Sequence, residues 1–185
     1  MAVFIALHLA LLQQFVGINA VVGYGGDIAG SAIPSLKSIF PMLINLEQVL
    51  TSLIVSYLLS RIGRKTILQI GTIFGAISTG IIGVGFFIHD SNTDVGNVFI
   101  LLGLVIFMAN FGLSLGPVVW LYIPEIVQPS IVPFSTGVNW AGAALVMLLF
   151  PIITEILPNK NPGYLFFFFS AWCVASFLIN AKYTI

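Results

Sequence analysis

Six long apolar stretches, separated by short polar breaks, divide the sequence. Each stretch is close to the roughly 20 residues that an α-helix needs to cross a bilayer. The breaks, such as SRIGRKT at 60–66, are rich in the polar, Gly and Pro residues that favour turns. The pattern predicts an all-α membrane protein with six transmembrane helices, at 2–25, 38–59, 66–88, 98–122, 135–157 and 163–181.

The composition agrees with a chain that lies in a lipid bilayer. Hydrophobic residues make up 59% of the sequence and charged residues 6%, whereas a soluble domain carries about 25% charged residues. The mean hydropathy is +1.12. The formal net charge is zero, so the chain lacks the basic surface with which proteins bind nucleic acid, and we predict no such partner.

Few side chains have the chemistry of an enzyme or a metal site. His8 and His89 have no partner at ligand spacing, and one cysteine, Cys173, cannot form a thiolate-rich site. The sequence contains no Ser/His/Asp arrangement and no H-E-x-x-H pattern. We therefore predict no enzymatic activity, no bound metal and no cofactor.

The basic residues indicate an orientation in the membrane. If SRIGRKT is cytoplasmic, that side holds Arg61, Arg64, Lys65 and Lys182, and the opposite side holds Lys37 and Lys160. This distribution agrees with the excess of basic residues in cytoplasmic loops, and it puts both ends of the chain on the cytoplasmic side. Both ends lie in or beside apolar stretches, so we expect a piece of a longer chain or a chain trimmed by its context.

Polar side chains inside the first stretch indicate an interior surface, because such groups are costly at membrane depth. This stretch holds Gln13, Gln14 and Asn19, followed by Tyr24. The amides do not share one narrow helical stripe, so they favour a helix that is locally unwound or widens into a cavity. Gly17 permits unwinding. The alternative is a set of hydrogen bonds between helices without a ligand.

The second stretch carries a polar stripe. Asn45, Gln48, Ser52 and Ser56 are spaced three or four residues apart and share one helix face. Such a face is expected to line water or a polar ligand. Glu47 lies beside the stripe and is the one acid near the middle of a stretch. The sequence leaves open whether Glu47 is neutral, paired or at the outer interface.

The fourth and fifth stretches add indoles and another amide. Gly116 and Pro117 predict a bend, since proline lacks an N–H group, and Trp120 follows one turn later. Asn139 stands beside Trp140. Amides, hydroxyls and indoles with almost no charge suit a neutral, polyhydroxylated ligand better than an ion.

Four motifs, in order along the chain, resemble those of the sugar porters of the major facilitator superfamily. The segment QQFVGINAVVGY resembles the Q-Q-x-x-G-I-N-x-x-x-x-Y signature, and SRIGRKT resembles the acid-R-x-G-R-[RK] loop. The segment GPVVWLYIPEI resembles the G-P-x-x-W-x-x-x-[SAP]-E motif, and VNW resembles the N-W pair. The match extends from Gln13 to Trp140. It implies that residues 1–185 form a single six-helix bundle, the C-terminal half of a hexose transporter with spans seven to twelve of twelve.

The resemblance implies roles for individual residues in sugar binding and gating. Sugar contacts are expected from Gln13, Gln14, Asn19, Gln48 or Asn45 one turn away, Trp120 and Asn139. Gating roles are expected from Tyr24 at the outer gate, from the bend at Pro117, and from Arg64 and Glu125 in a cytoplasmic ionic network. One departure is Ser60, which replaces the acid that opens the family's loop motif. This departure puts alternating access in more doubt than sugar binding.

Two functional hypotheses follow. The first is transport of a neutral sugar by alternating access, with an N-terminal six-helix half supplied by the same polypeptide or a separate chain. Uniport is favoured over proton symport, and the plasma membrane over an organelle membrane such as the mitochondrial inner membrane. The alternative is a transporter-derived subunit that does not transport and is held by neighbouring membrane subunits.

Overall fold

The computed structural model describes residues 1–183, apart from the side chain of Ser31, as α-helices with one short 3-10 helix. The α-helices are α1 (Ala2–Phe15), α2 (Ile18–Ala32), α3 (Leu36–Arg61), α4 (Arg64–His89), α5 (Thr93–Leu113), α6 (Leu115–Ile126), α7 (Val132–Ile156) and α8 (Gly163–Tyr183), and the 3-10 helix is Pro158–Lys160. Together they form six spans that are long and apolar enough to cross a membrane, as the sequence predicts. Two spans extend well beyond their predicted bounds, to Ala2–Gly30 and Thr93–Ile126.

Two of the six spans are broken near their middle. Gly17, between α1 and α2, has φ 98° and ψ 13°, a left-handed conformation that glycine adopts without steric cost. Local unwinding is one of two options that the sequence leaves for this span, and the break at Gly17 is of that kind. The second break falls at Ser114, with φ −138° and ψ −89°. This break precedes Pro117 because the proline has no N–H to donate to the carbonyl of Leu113. Proline is also well accommodated in the first turn of a helix, where Pro117 lies in α6.

The first span is longer than predicted because its glycines allow close packing. Residues 25–32 have the composition of a loop, yet α2 continues to Ala32. A Cβ atom at Gly26 would lie 2.7 Å from the backbone oxygen of Lys37, so only glycine lets α2 lie this close to α3. The helix ends at Ile33, which has extended backbone angles, as residues before a proline usually do.

Small residues bring α4 close to its neighbours. A Cβ atom at Gly75 would lie 3.2 Å from Val16 Cγ2 and 3.4 Å from Cys173 Sγ. A Cβ atom at Gly71 would meet Ser114 and Leu115, so the G-x-x-x-G face of α4, Gly71 to Gly75, packs against the two breaks and α8. Close backbone approach favours association in lipid, where no hydrophobic force drives helices together.

In contrast, α3 and α7 are exposed along much of their length. Leu53 and Tyr57 on α3 are 71% and 63% exposed, and Leu148 on α7 is 66% exposed. The well-buried part of the bundle lies around α1, α4 and α5, and the broken spans run between it and the exposed helices.

Candidate functional site

A cavity of about 180 Å³ opens beside the two broken spans. Its walls come from α1, α2, α5, α6 and α7, and consist of Gln13, Gln14, Ile18, Asn19, Phe111, Gly116, Trp120, Asn139, Trp140 and Ala143. Five of the seven predicted sugar contacts are in this set, and none of its members is charged. The cavity is therefore lined by amides, indoles and apolar groups.

The break at Gly17 brings two of the amides together. Gln14 lies in the last turn of α1 and Asn19 in the first turn of α2. The Asn19 amide donates a hydrogen bond to Gln14 Oε1 across the break. The amides that share no stripe on a straight helix therefore meet on one wall of the cavity.

Asn139 connects α7 to α1. Its Nδ2 donates to Gln13 Oε1 at 2.8 Å and to the backbone oxygen of Ala10 at 3.0 Å. Its Oδ1 accepts a 2.8 Å hydrogen bond from Gln14 Nε2. Asn139 is 2% exposed, so these bonds satisfy an amide that would be costly to bury unpaired.

Gln13 links the first broken span to the second. Its Nε2 donates to the backbone oxygens of Leu115 at 3.1 Å and Gly116 at 2.9 Å, in the first turn of α6. Gln13 thus forms hydrogen bonds between helices. The network formed by Gln13, Gln14, Asn19 and Asn139, called the amide network below, holds both broken spans and α7 together.

The two indoles lie at the open side of the cavity. Trp120 is 41% exposed and Trp140 is 64% exposed, whereas the neighbouring amides of Gln13 and Asn139 are buried. A ligand that enters the cavity would meet the indoles as well as the amide network.

The predicted contacts on α3 are not part of this cavity. Gln48 lines a neighbouring cavity of about 250 Å³, which shares Phe111 and Gly116 with the first. Asn45 is exposed and lines neither of the two. The face of α3 that packs inward carries Phe40, Ile44, Thr51 and Val55. The polar stripe of Asn45, Gln48, Ser52 and Ser56 is exposed, and two of its members, Gln48 and Ser52, line the second cavity.

Three of the predicted gating residues, Tyr24, Arg64 and Glu125, lie towards the two ends of the bundle, whereas Pro117 lies beside the break near the middle of the fourth span. The Tyr24 hydroxyl donates to the backbone oxygen of Met147 at 2.8 Å, and its ring stacks on Phe150 at 5.2 Å between centroids. These contacts join α2 to α7. At the other end, Arg64 Nη2 lies 2.7 Å from Glu125 Oε1. The predicted proximity of Arg64 and Glu125 is confirmed, and it puts the loops after the second and fourth spans at the same end.

Phe111 in the cavity and Ser114 at the break beside it are not identified from the sequence. Phe111 lines both cavities, but a phenylalanine in an apolar stretch gives no distinguishing signal. Ser114 marks the second break, and the proline three residues later is the signal that points to it.

Comparisons with known proteins agree on one family. The sequence model of the family described as sugar (and other) transporter matches residues 1–184. A facilitated trehalose transporter of Polypedilum vanderplanki is 30% identical over 179 residues, which cover 92% of this chain and 34% of that protein. Hexose transporter 1 of Plasmodium yoelii yoelii is 29% identical over 171 residues, which cover 90% of this chain and 33% of that protein.

Solved structures share the fold. The major facilitator superfamily proton:xylose symporter XylE, bound to 6-bromo-6-deoxy-D-glucose, superposes with a TM-score of 0.84 at 21% identity. The superposition covers 99% of this chain and 39% of that one. A partially occluded inward-open structure of XylE from E. coli gives a TM-score of 0.81 at 23% identity, over 99% of this chain and 39% of that one.

The six apolar spans, the major facilitator fold and a family match along almost the whole sequence lead to one conclusion. The chain spans about a third of the length of the relatives quoted above. It is an integral, multi-pass membrane protein and belongs to the sugar (and other) transporter family.

Proposed function

We propose that this chain is the C-terminal half of a transporter for a neutral sugar of hexose type and that it carries most of the sugar contacts. The observation that supports the proposal is the uncharged cavity beside two broken spans, lined by the amide network and two indoles. Amides both donate and accept hydrogen bonds, as sugar hydroxyls require. The names of two relatives mention trehalose and hexose, which share this chemistry of many hydroxyls and no charge.

Sugar binding exchanges hydrogen bonds within the amide network for bonds to hydroxyls. Because each amide is already paired, each exchange replaces one hydrogen bond by another and contributes little net free energy, so we expect weak binding. Weak binding suits a transporter, since the substrate must also be released.

The exposed polar stripe on α3 supports a second six-helix half. Asn45, Gln48, Ser52 and Ser56 are exposed along a helix that crosses the membrane. Amides and hydroxyls in contact with lipid are costly, so such a face is expected to border protein or a water-filled cavity. A second half that covers α3 and the open side of the amide cavity would enclose the sugar between the two halves, with alternating access by rocking around it.

The contacts at the two ends are suited to gating. Tyr24 joins α2 to α7 through one hydrogen bond. Because α2 is separated from α1 by the break at Gly17, this bond can form and break with little change in α1. Arg64 and Glu125 are 42% and 43% exposed, so their ion pair contributes at most about 1 kcal/mol. A contact of that size can bias a conformational equilibrium without locking it.

The test is counterflow of labelled hexose into proteoliposomes that contain the complete polypeptide in which this chain occurs. We expect saturable counterflow that excess unlabelled hexose abolishes, and its loss in Asn139→Leu. Empty liposomes supply the background. A correctly inserted protein with neither counterflow nor equilibrium hexose binding would overturn the proposal and favour the alternative, a subunit that does not transport.

A further inference from the structure

Glu47 is an acidic residue near the middle of the membrane-spanning helix α3. It lies 11 residues after Leu36 and 14 residues before Arg61 in α3, roughly 16 Å and 21 Å along the helix axis. The helix begins at Leu36, two residues before the predicted start of this span. The amide cavity does not use Glu47.

The carboxylate of Glu47 is enclosed by protein. Both of its oxygens are buried, and no hydrogen bond from a described residue reaches them. A Cβ atom at Gly112 on α5 would lie 2.7 Å from Glu47 Oε1, so the carboxyl group lies directly on the backbone of α5. The nearby Thr51 hydroxyl donates to the backbone oxygens of Glu47 at 2.9 Å and Gln48 at 3.3 Å.

No described cation pairs with Glu47. The helices that pack against α3 are α2 and α5. Besides Glu47, the charged groups on these three helices lie towards the helix ends, and Tyr24 lies in the middle of α2. Lys37 pairs with Asp27 at 2.9 Å, and Arg61 lies over the ring of Tyr57. The titratable groups of the three helices, besides Glu47, are Tyr24, Asp27, Lys37, Tyr57, Arg61 and Asp94.

An ionised carboxylate in this position would have no counter-charge, and the hydroxyl beside it, that of Thr51, already donates to backbone oxygens. Such a group is very costly at membrane depth, whereas the neutral acid avoids most of that cost. The Thr51 hydroxyl contacts the Glu47 backbone, and Gly112 lies against the Glu47 carboxyl group. Both residues line the cavity that holds Gln48. That cavity reaches Gly116 and Pro117, beside the break in the fourth span. The cavity therefore extends from the neighbours of Glu47 to the break.

We propose that Glu47 binds and releases a proton as α3 and α5 pack and separate, and that this links sugar transport to pH. The proposal rests on the transport function proposed above. In the packed arrangement the carboxyl group is neutral. When α5 moves away at the break, water reaches Glu47, the carboxylic acid gives its proton to water, and the carboxylate is hydrated. Raising the pH then disfavours the packed arrangement and slows the cycle.

The first experiment measures hexose counterflow from about pH 5 to about pH 8 in proteoliposomes of the complete polypeptide. Wild-type counterflow should fall as the pH rises, by at most about tenfold per pH unit, the limit for one proton. Glu47→Gln keeps the size of the neutral acid and should show a flat profile at the low-pH rate. The matched control is Glu155→Gln, which removes an exposed acid paired with Lys160 and should keep the wild-type profile. A flat wild-type profile, or a Glu47→Gln profile that still falls, would overturn the proposal while leaving sugar transport intact.

The second experiment does not depend on transport. Infrared spectra of the reconstituted protein at neutral pH should contain the carbonyl band of a protonated carboxylic acid. The band should be absent in Glu47→Gln and present in Glu155→Gln. If Glu47→Gln fails to insert, Glu47→Asp should shift the band and so assign it. Absence of the band in the wild type would overturn the proposal, and its presence without hexose counterflow would locate the failure in the transport function.

Discussion

Replacing Gln13 with leucine tests whether the amide network binds sugar or only joins helices. Gln13 is 3% exposed and takes part in four hydrogen bonds. Two are donated to the start of α6, one is accepted from Asn139 at 2.8 Å, and one from Gln14 at 3.4 Å. Leucine has a similar size and none of these bonds.

The two roles of Gln13 predict effects of different size. Hydrogen bonds between membrane helices contribute on average about 0.6 kcal/mol each, so the loss of four lowers the free energy of unfolding by about 2 kcal/mol. A sugar hydroxyl left unpaired in the closed cavity costs about 1–3 kcal/mol. One such group weakens hexose binding about tenfold, and two weaken it about a hundredfold.

The measurement is equilibrium binding of labelled hexose to the purified complete polypeptide, with thermal unfolding in the same detergent. Asn97→Leu is the matched control, because Asn97 is an amide in the same bundle that donates to the backbone oxygen of Ala32 at 3.0 Å and lies outside the cavity. We expect Gln13→Leu to lose both stability and affinity, and Asn97→Leu to lose stability only. If hexose affinity were unchanged in Gln13→Leu, or fell equally in both variants, Gln13 would be a helix-joining residue and the sugar site would lie elsewhere.

Two further variants test the break and the ion pair. Gly17→Ala should lower the free energy of unfolding by more than about 2 kcal/mol, because φ is 98° and a Cβ would lie 2.6 Å from Phe169 Cδ2. Gly63→Ala, where a Cβ meets no atom within 4 Å, is the control, and equal thermal stability of the two would contradict the strain argument. Arg64→Glu should change stability by no more than about 1 kcal/mol yet slow hexose counterflow. The double variant with Glu125→Arg should restore the rate, and a lack of rescue would show that the pair plays no part in gating.

The family, the number of spans and the position of the first break follow from the sequence. Hydropathy alone separates the six spans, because a bilayer requires about 20 apolar residues in each. Glycine at position 17 identifies a break since few other residues adopt its backbone conformation. Arg64 and Glu125 can be paired from the sequence because alternate loops of a membrane bundle must lie at the same end.

The span ends and the second break depend on tertiary contacts. Gly26 lies in a segment, residues 25–32, that has the composition of a turn, yet close packing on α3 keeps α2 helical there. The break in the fourth span falls at Ser114 rather than at Pro117, because the missing hydrogen bond belongs to the carbonyl four residues before the proline.

The partners of each polar group were decided by the tertiary structure. The sequence identifies Gln13, Asn139 and Gln48 as polar groups at membrane depth, but it does not fix the rotation of each helix about its axis. Packing of α3 through Ile44 and Thr51 turns Gln48 away from the amide network, while Asn139 faces Gln13 at 2.8 Å. Composition thus determines that a polar interior exists, and the rotation set by side-chain packing determines which groups meet there.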